Sequence, residues 1–336
     1  FALFVFLILP LPERKVYGKG RVRAALRQAV YGSQDLPSES ASVTSSYAGL
    51  SARSSWPSDV SRVDRLDCPT VLGGVQQWHL CYPAAVPALH AVRSRLVVHI
   101  GGHSAAGHYY ASDGQAWLTY TLLREGFHVL GGSMSMVGFN TAGLGGSESY
   151  STGAVANHDF SAVETAGVSG LRPFVDGAIC AIAAARSIVS PLSVDVVGLS
   201  GGGWTATMLG ALDPSIRRTI SVYGGAPWWL RSAIGSSAAG DWEQLAARSW
   251  VPALRGLEES AYVACASEHG RRRVTVLGLT EGVFPVGGHL DLVERMRRWV
   301  DARVPAEQHR LVLDATPTAH DISVSTRSII VEECSA

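Results

Sequence analysis

From about residue 61 the chain alternates short apolar runs with segments of helical spacing, and this alternation narrows the fold more than any other feature. "VQQWHLCYP", "SRLVVHIGG", "FHVLGGSM", "SVDVVGLS", "RTISVYGGA", "RRRVTVLGLTEG" and "QHRLVLDATP" read as strands. "GQAWLTYTLLREG", "PFVDGAICAIAAARSIV", "WTATMLGALD", "LDLVERMRRWVDARV" and the closing "STRSIIVEEC" read as helices. Strands separated by helices imply a mostly parallel α/β sheet with helices on both faces. A chain of 336 residues, 47% hydrophobic and 17% charged, can bury the core such a sheet needs. No internal repeat is visible.

Charge and residue usage remove several function classes. Lys+Arg and Asp+Glu balance at 28 each, so no net charge draws the chain to nucleic acid. Lys15 and Lys19 are the only lysines. A Gly-Lys phosphate loop, a lysine Schiff base or a Ser-Lys dyad therefore has no lysine within the strand–helix region. The five cysteines show no CxxC pair and there is no HExxH, so no metal is expected. Cys68 and Cys81 flank two short strands, where a cross-hairpin disulfide and two free thiols are both open readings.

The first sixty residues read differently. "FALFVFLILPLP" is intensely apolar but shorter than the ~20 residues of a spanning helix. A basic stretch follows, including Arg14, Lys15, Lys19, Arg21 and Arg23. Residues 1–32 are expected to form an arm or partial anchor that meets a membrane or a protein partner. Membrane association follows, with the compartment left open. Residues 33–60 are Ser-rich and aperiodic, as in a linker, and residues 61–336 carry the strand–helix domain.

Within that domain Ser200 stands in Gly198-Leu199-Ser200-Gly201-Gly202, between a strand and a helix. A sharp turn there forces the serine into strained φ/ψ, and side chains at positions 198 and 202 would collide with neighbouring backbone. The hydroxyl then lies at a helix N-terminus, which favours developing negative charge. A Gly-rich turn that merely carries a serine is the plainer alternative. Context favours chemistry.

A serine nucleophile needs a base, an orienting acid and an oxyanion site. Of the histidines after Ser200, His320 lies just past the last strand in "DATPTAHDIS", where the base is expected. His289 is the backup; His269 and His309 lie at the wrong ends of their strands. Glu281 directly follows the strand "VTVLGLT" and is the first choice of acid. Asp314 ends the last strand and is the second, with bracing of the His320 loop as its other reading. Asp291 fits a helix start. The oxyanion donors are expected to be the N–H of Gly201 and that of His103 or Ser104, in "HIGGHSAAGHYY". Glycines interrupt any helix through His99, His103 and His108, so these three do not share a metal-binding face. Ser200, His320 and the acid should converge at the carboxyl edge of one sheet, with serine oxygen and imidazole within ~3.5 Å.

The elbow "VVGLSGGGWTAT", the loop "HIGGHSAAGHYY" and the terminal "DATPTAHDIS" resemble the α/β-hydrolase superfamily. The resemblance is nearest to esterase-like members with a G-D-[YW]-E-Q segment, here Gly240-Asp241-Trp242-Glu243-Gln244. It spans roughly residues 60–332 and implies an eight-stranded, mostly parallel sheet. It also implies hydrolysis of a small-molecule carboxylic ester without a cofactor, with Ser200 as nucleophile, His320 as base and Glu281 as acid. The chain departs from those members at the acid, with "EGVFP" where they carry Asp followed by Cys-Cys-Phe. Residues 226–258, with Trp228 and Trp229, read as a short cap over the site. The competing class is an inactive hydrolase-fold subunit of a membrane-associated assembly, to which the apolar arm and altered acid point.

Overall fold

The computed structural model describes residues 19–33, 35–38, 40–46, 59–71, 74–85, 94–102, 114–135, 137, 140, 169–235 and 270–336. Residues 1–18, His103, Ser104, the 240–244 segment and most of the expected cap, 236–258, lie outside them.

Nine strands form one sheet: β1 (Ser42–Thr44), β2 (Val60–Pro69), β3 (Val75–Pro83), β4 (Arg95–Ile100), β5 (His128–Gly132), β6 (Ser193–Leu199), β7 (Ile216–Val222), β8 (Arg272–Gly278) and β9 (His309–Asp314). Their order is β1-β2-β3-β5-β4-β6-β7-β8-β9. The pairings β1/β2, β2/β3 and β3/β5 are antiparallel, and the remaining five are parallel. The count exceeds the expected eight by one. One addition is β1, a three-residue edge strand inside the segment read as a linker, with Ser42 opposite Asp67. The hairpin strand expected after Cys68 is instead β2, so that Cys68 and Cys81 lie within β2 and β3 rather than flanking them.

Burial explains why the central strands read so clearly. Residues 96–100 of β4, 194–199 of β6 and 273–278 of β8 are buried without a break, because helices cover both faces. On the edge strand β9 only His309 and Asp314 are buried. The helices are α1 (Lys19–Tyr31), α2 (Gly114–Arg124), α3 (Arg172–Val189), α4 (Gly201–Leu212), α5 (Trp228–Ile234), α6 (Leu290–Asp301) and α7 (Val324–Ser335). Pro173 opens α3, where a missing N–H costs nothing, and Ser190 ends it in the left-handed region at φ 45°.

The structure departs from the sequence reading at α1. Val22, Leu26 and Val30, spaced i, i+4, i+8, put one apolar stripe into the core shared with α3 and α4. Arg23, expected at a membrane or partner face, is buried instead. Its Nε donates to Ala211 O, and Arg27 Nε donates to Leu212 O, both at 2.9 Å. The cause is local: the last carbonyls of α4 lack intrahelical donors and attract cations. Among the described residues no helix is long and apolar enough to cross a membrane.

Cys68 and Cys81 are both free. Cys68 pairs with Gln76 and Cys81 with Val63, so five residues of β2 separate their rungs. That is ~17 Å along the strand, beyond the ~7 Å that a disulfide spans.

Candidate active site

The carboxyl ends of β6, β7, β8 and β9 bring the candidate residues to one edge of the sheet. Ser200 follows β6 at φ 56°, ψ −127°, a conformation that L side chains rarely adopt. The crowding expected around it is present. A Cβ on Gly198 would stand 2.1 Å from the Gly202 carbonyl oxygen, and one on Gly102 would stand 2.8 Å from Ser200 Cβ. The loop after β4 therefore begins in contact with the serine, although its next two residues, His103 and Ser104, lie beyond the description. Ser200 is 8% exposed, and its N–H donates to Val222 O at 2.8 Å. The Gly201 N–H, first in α4, meets no backbone acceptor among the described residues.

On the far side of β7, His320 Nδ1 lies 2.7 Å from Glu281 Oε2. Glu281 is 1% exposed and belongs to a tight turn after β8. Its Oε2 accepts from the Val283 N–H at 2.9 Å, and its Oε1 accepts from the Phe284 N–H. The carboxylate is thus fixed before it meets the imidazole. With Glu281 at Nδ1, His320 Nε2 is buried and has no hydrogen-bond partner among the described residues. The Phe284 ring meets the imidazole edge-on at 5.5 Å between centroids, and the Tyr223 ring is 6.1 Å away on a tilted plane. No hydrogen bond joins Ser200 Oγ to His320 in this structure, so the direct contact expected from the sequence is not made.

Asp314, the second candidate acid, is engaged elsewhere. It accepts from the Thr316 N–H (2.9 Å) and hydroxyl (2.6 Å), and from the hydroxyls of Ser323 and Thr326. Burial alone would raise its pKa, but the hydroxyls of Ser323, Thr316 and Thr326 hold it below the usual carboxylate value. Ser323 also caps α7, accepting from the Thr326 N–H, so Asp314 ties the His320 loop to the helix that follows.

The other histidines are placed by packing. His309 opens β9 at the opposite edge of the sheet, where burial and then the Arg273 charge push its pKa down to about 3. His289 stands at the entrance to α6, apart from the Glu281–His320 pair. Asp291, read as a candidate N-cap, lies in the first turn of α6, where its charge suits the helix dipole, but the N-cap position is His289. Tyr223 escaped the sequence reading. Burial, followed by the Asp314 charge, raises its phenol pKa. Its only signal was "YGG" directly after a buried strand.

No family model and no curated protein matches the sequence. Solved structures do match. An acetyl xylan esterase from Paenibacillus sp. R4 is 13% identical over 94% of this chain and 92% of its own, with a TM-score of 0.59. An acylaminoacyl peptidase in complex with Z-Gly-Gly-Phe-chloromethyl ketone is 12% identical over 81% of this chain and 41% of its own, at 0.55. The methylesterase BT1017 is 14% identical over 94% of this chain and 62% of its own, at 0.53. At such identities the likeness is one of architecture alone, and together with the strand order it shows that the chain has an α/β-hydrolase fold.

Proposed function

We propose that this protein is a serine hydrolase of small carboxylic esters, with Ser200 as nucleophile, His320 as base and Glu281 as orienting acid. One observation carries the reading. An imidazole whose Nδ1 is held by a buried carboxylate, and whose Nε2 meets no partner among the described residues, stands on the same sheet edge as a serine in a strained strand-to-helix turn. Nothing in packing alone requires those two features together. The esterase neighbours support an ester as the bond cleaved.

The chemistry follows from the pairing. The Nδ1 proton is held by Glu281, which leaves Nε2 with the lone pair a general base needs. Nε2 takes the Ser200 proton as Oγ attacks the ester carbonyl. The carbonyl π pair moves to oxygen, and the resulting oxyanion is met by the Gly201 N–H and the positive end of α4. Return of the proton from Nε2 to the leaving alkoxide gives an acyl-serine and an alcohol. A water, deprotonated by the same nitrogen, then releases the acid. The serine and imidazole make their hydrogen bond when substrate arrives, as catalytic contacts often tighten only in the complex.

The test is reaction of the folded protein with a fluorophosphonate probe, together with hydrolysis of p-nitrophenyl acetate. Labelling of wild type, and its loss in Ser200→Ala, is the expected result, since only an activated serine attacks phosphorus at neutral pH. A folded wild type that stays unlabelled and inactive would instead favour the reading of a non-catalytic subunit.

A further inference from the structure

We propose that Tyr223 is a positioning residue that sets the relation between Ser200 and His320; the inference rests on the serine-hydrolase reading above. After β7 the Gly224 N–H donates back to Val222 O at 2.8 Å, closing a three-residue turn around Tyr223, whose φ is +59°. Turns of this kind with positive φ are rare and strained for a residue with a side chain. The same Val222 oxygen accepts the Ser200 N–H, also at 2.8 Å. One carbonyl, with both lone pairs used, therefore joins the two strained residues of the site.

Two further contacts lock the turn. A Cβ on Gly224 would lie 1.6 Å from Ser200 O, so the turn packs directly on the serine's peptide. The Tyr223 N–H donates to Val276 O at 2.9 Å, which fixes it to β8. From this anchored backbone the side chain, 1% exposed, carries its ring to 6.1 Å from the imidazole, on a plane tilted by 42°. Its hydroxyl points at Asp314 Oδ2 at 3.4 Å, the carboxylate that braces the His320 loop.

Tyr223 is thus held to the nucleophile by its backbone and to the base by its ring. A core aromatic needed only for volume could have come from a regular strand position without positive φ. Strain of this sort persists where the surroundings over-determine it, which is common at functional sites. With Phe284 on another side and Glu281 at Nδ1, the Tyr223 ring leaves the imidazole one arrangement, with Nε2 set by the position of the serine turn.

The experiment compares wild type with Tyr223→Leu, Tyr223→Met and Tyr223→Phe, each checked for folding by circular dichroism. Loss of the ring should lower kcat roughly 100-fold, the scale of a misplacement of about 1 Å, while KM stays within about three-fold. Probe labelling of Ser200 should slow by the same factor. Tyr223→Phe, which keeps the ring, should recover most of that loss. A cavity that merely loosens the fold would lower thermal stability without this split between kcat and KM or this rescue. If wild type labels and a folded Leu or Met variant labels at the same rate, the positioning role is overturned. If Tyr223→Phe is as slow as a folded ring-less variant, the hydroxyl rather than the ring matters and the proposal fails as stated. Should neither ring-less variant fold, Tyr223→Phe decides alone: wild-type-like kcat and labelling support the ring, and a roughly 100-fold loss overturns it. An unlabelled wild type would sink the hydrolase reading itself, a separate outcome.

Discussion

Glu281 holds His320 Nδ1 with the same carboxylate that closes its own turn onto the N–H groups of Val283 and Phe284. Orientation of the base and local backbone structure therefore depend on one side chain. Glu281→Gln keeps much of the turn but offers the imidazole an amide in place of a charge. We expect kcat for p-nitrophenyl acetate to fall roughly 100- to 10,000-fold with little change in KM, because the carboxylate orients the imidazole that moves the proton and stabilises its charged form. Steady-state kinetics check this. Activity near that of wild type would move the acid role away from Glu281.

Asp314 should behave in the opposite manner. Asp314→Ala orphans the hydroxyls of Thr316, Ser323 and Thr326, and we expect a loss of about 1–3 kcal/mol of stability. Its effect on kcat should be far smaller than that of Glu281→Gln. Urea titration and kinetics on the same preparation separate the two.

The same carboxyl predicts a pH dependence. Its folded pKa is lowered, burial being outweighed by its hydrogen bonds, relative to an unfolded value of about 3.9. Its contribution is fully present above that unfolded value and is lost as pH falls through the lower, folded one. Melting temperature should therefore drop more steeply below about pH 4 in wild type than in Asp314→Asn. Equal slopes would contradict the assignment.

Much of this was legible in the sequence. The central strands were readable because burial on both faces leaves unbroken apolar runs, as in β4 and β6. Ser200 was readable because its turn admits only glycine at position 198. His320 and Glu281 could be ranked first by where their strands end, but what withdraws Asp314 from the imidazole could not be read. That depended on Thr316, Ser323 and Thr326 satisfying Asp314, a cage of hydroxyls with no spacing rule. Tyr223 was hidden because positive φ at a tyrosine has no compositional mark. Arg23 misled because a basic run looks the same whether it faces a partner or the last carbonyls of another helix.

Gly198→Ala tests the serine turn itself. The added Cβ meets backbone, the Gly202 carbonyl, so no side chain can swing aside. We expect a loss on the order of 1–3 kcal/mol and probe labelling reduced at least tenfold, as the turn shifts to make room. Wild-type stability and labelling would mean that the turn is looser than the geometry states.

Leu26 sits at the centre of the α1 stripe with no exposed surface. Leu26→Ala should cost about 2–5 kcal/mol, and removal of residues 1–33 should destabilise the whole domain rather than release an arm. The urea midpoints of both variants test this. A truncated protein with an unchanged midpoint would return α1 to the role of a detachable segment.

The docking of α1 has a consequence for how the chain is made. Arg23 finds its acceptor 188 residues later, at Ala211. At ribosomal rates of about 5–20 residues per second, α1 waits ~10–40 s after emerging before its seat exists. Over that interval Val22, Leu26 and Val30 are an uncovered apolar stripe, open to chaperones or to wrong neighbours. Of the described helices, the first in chain order is thus seated only once α4 has been made.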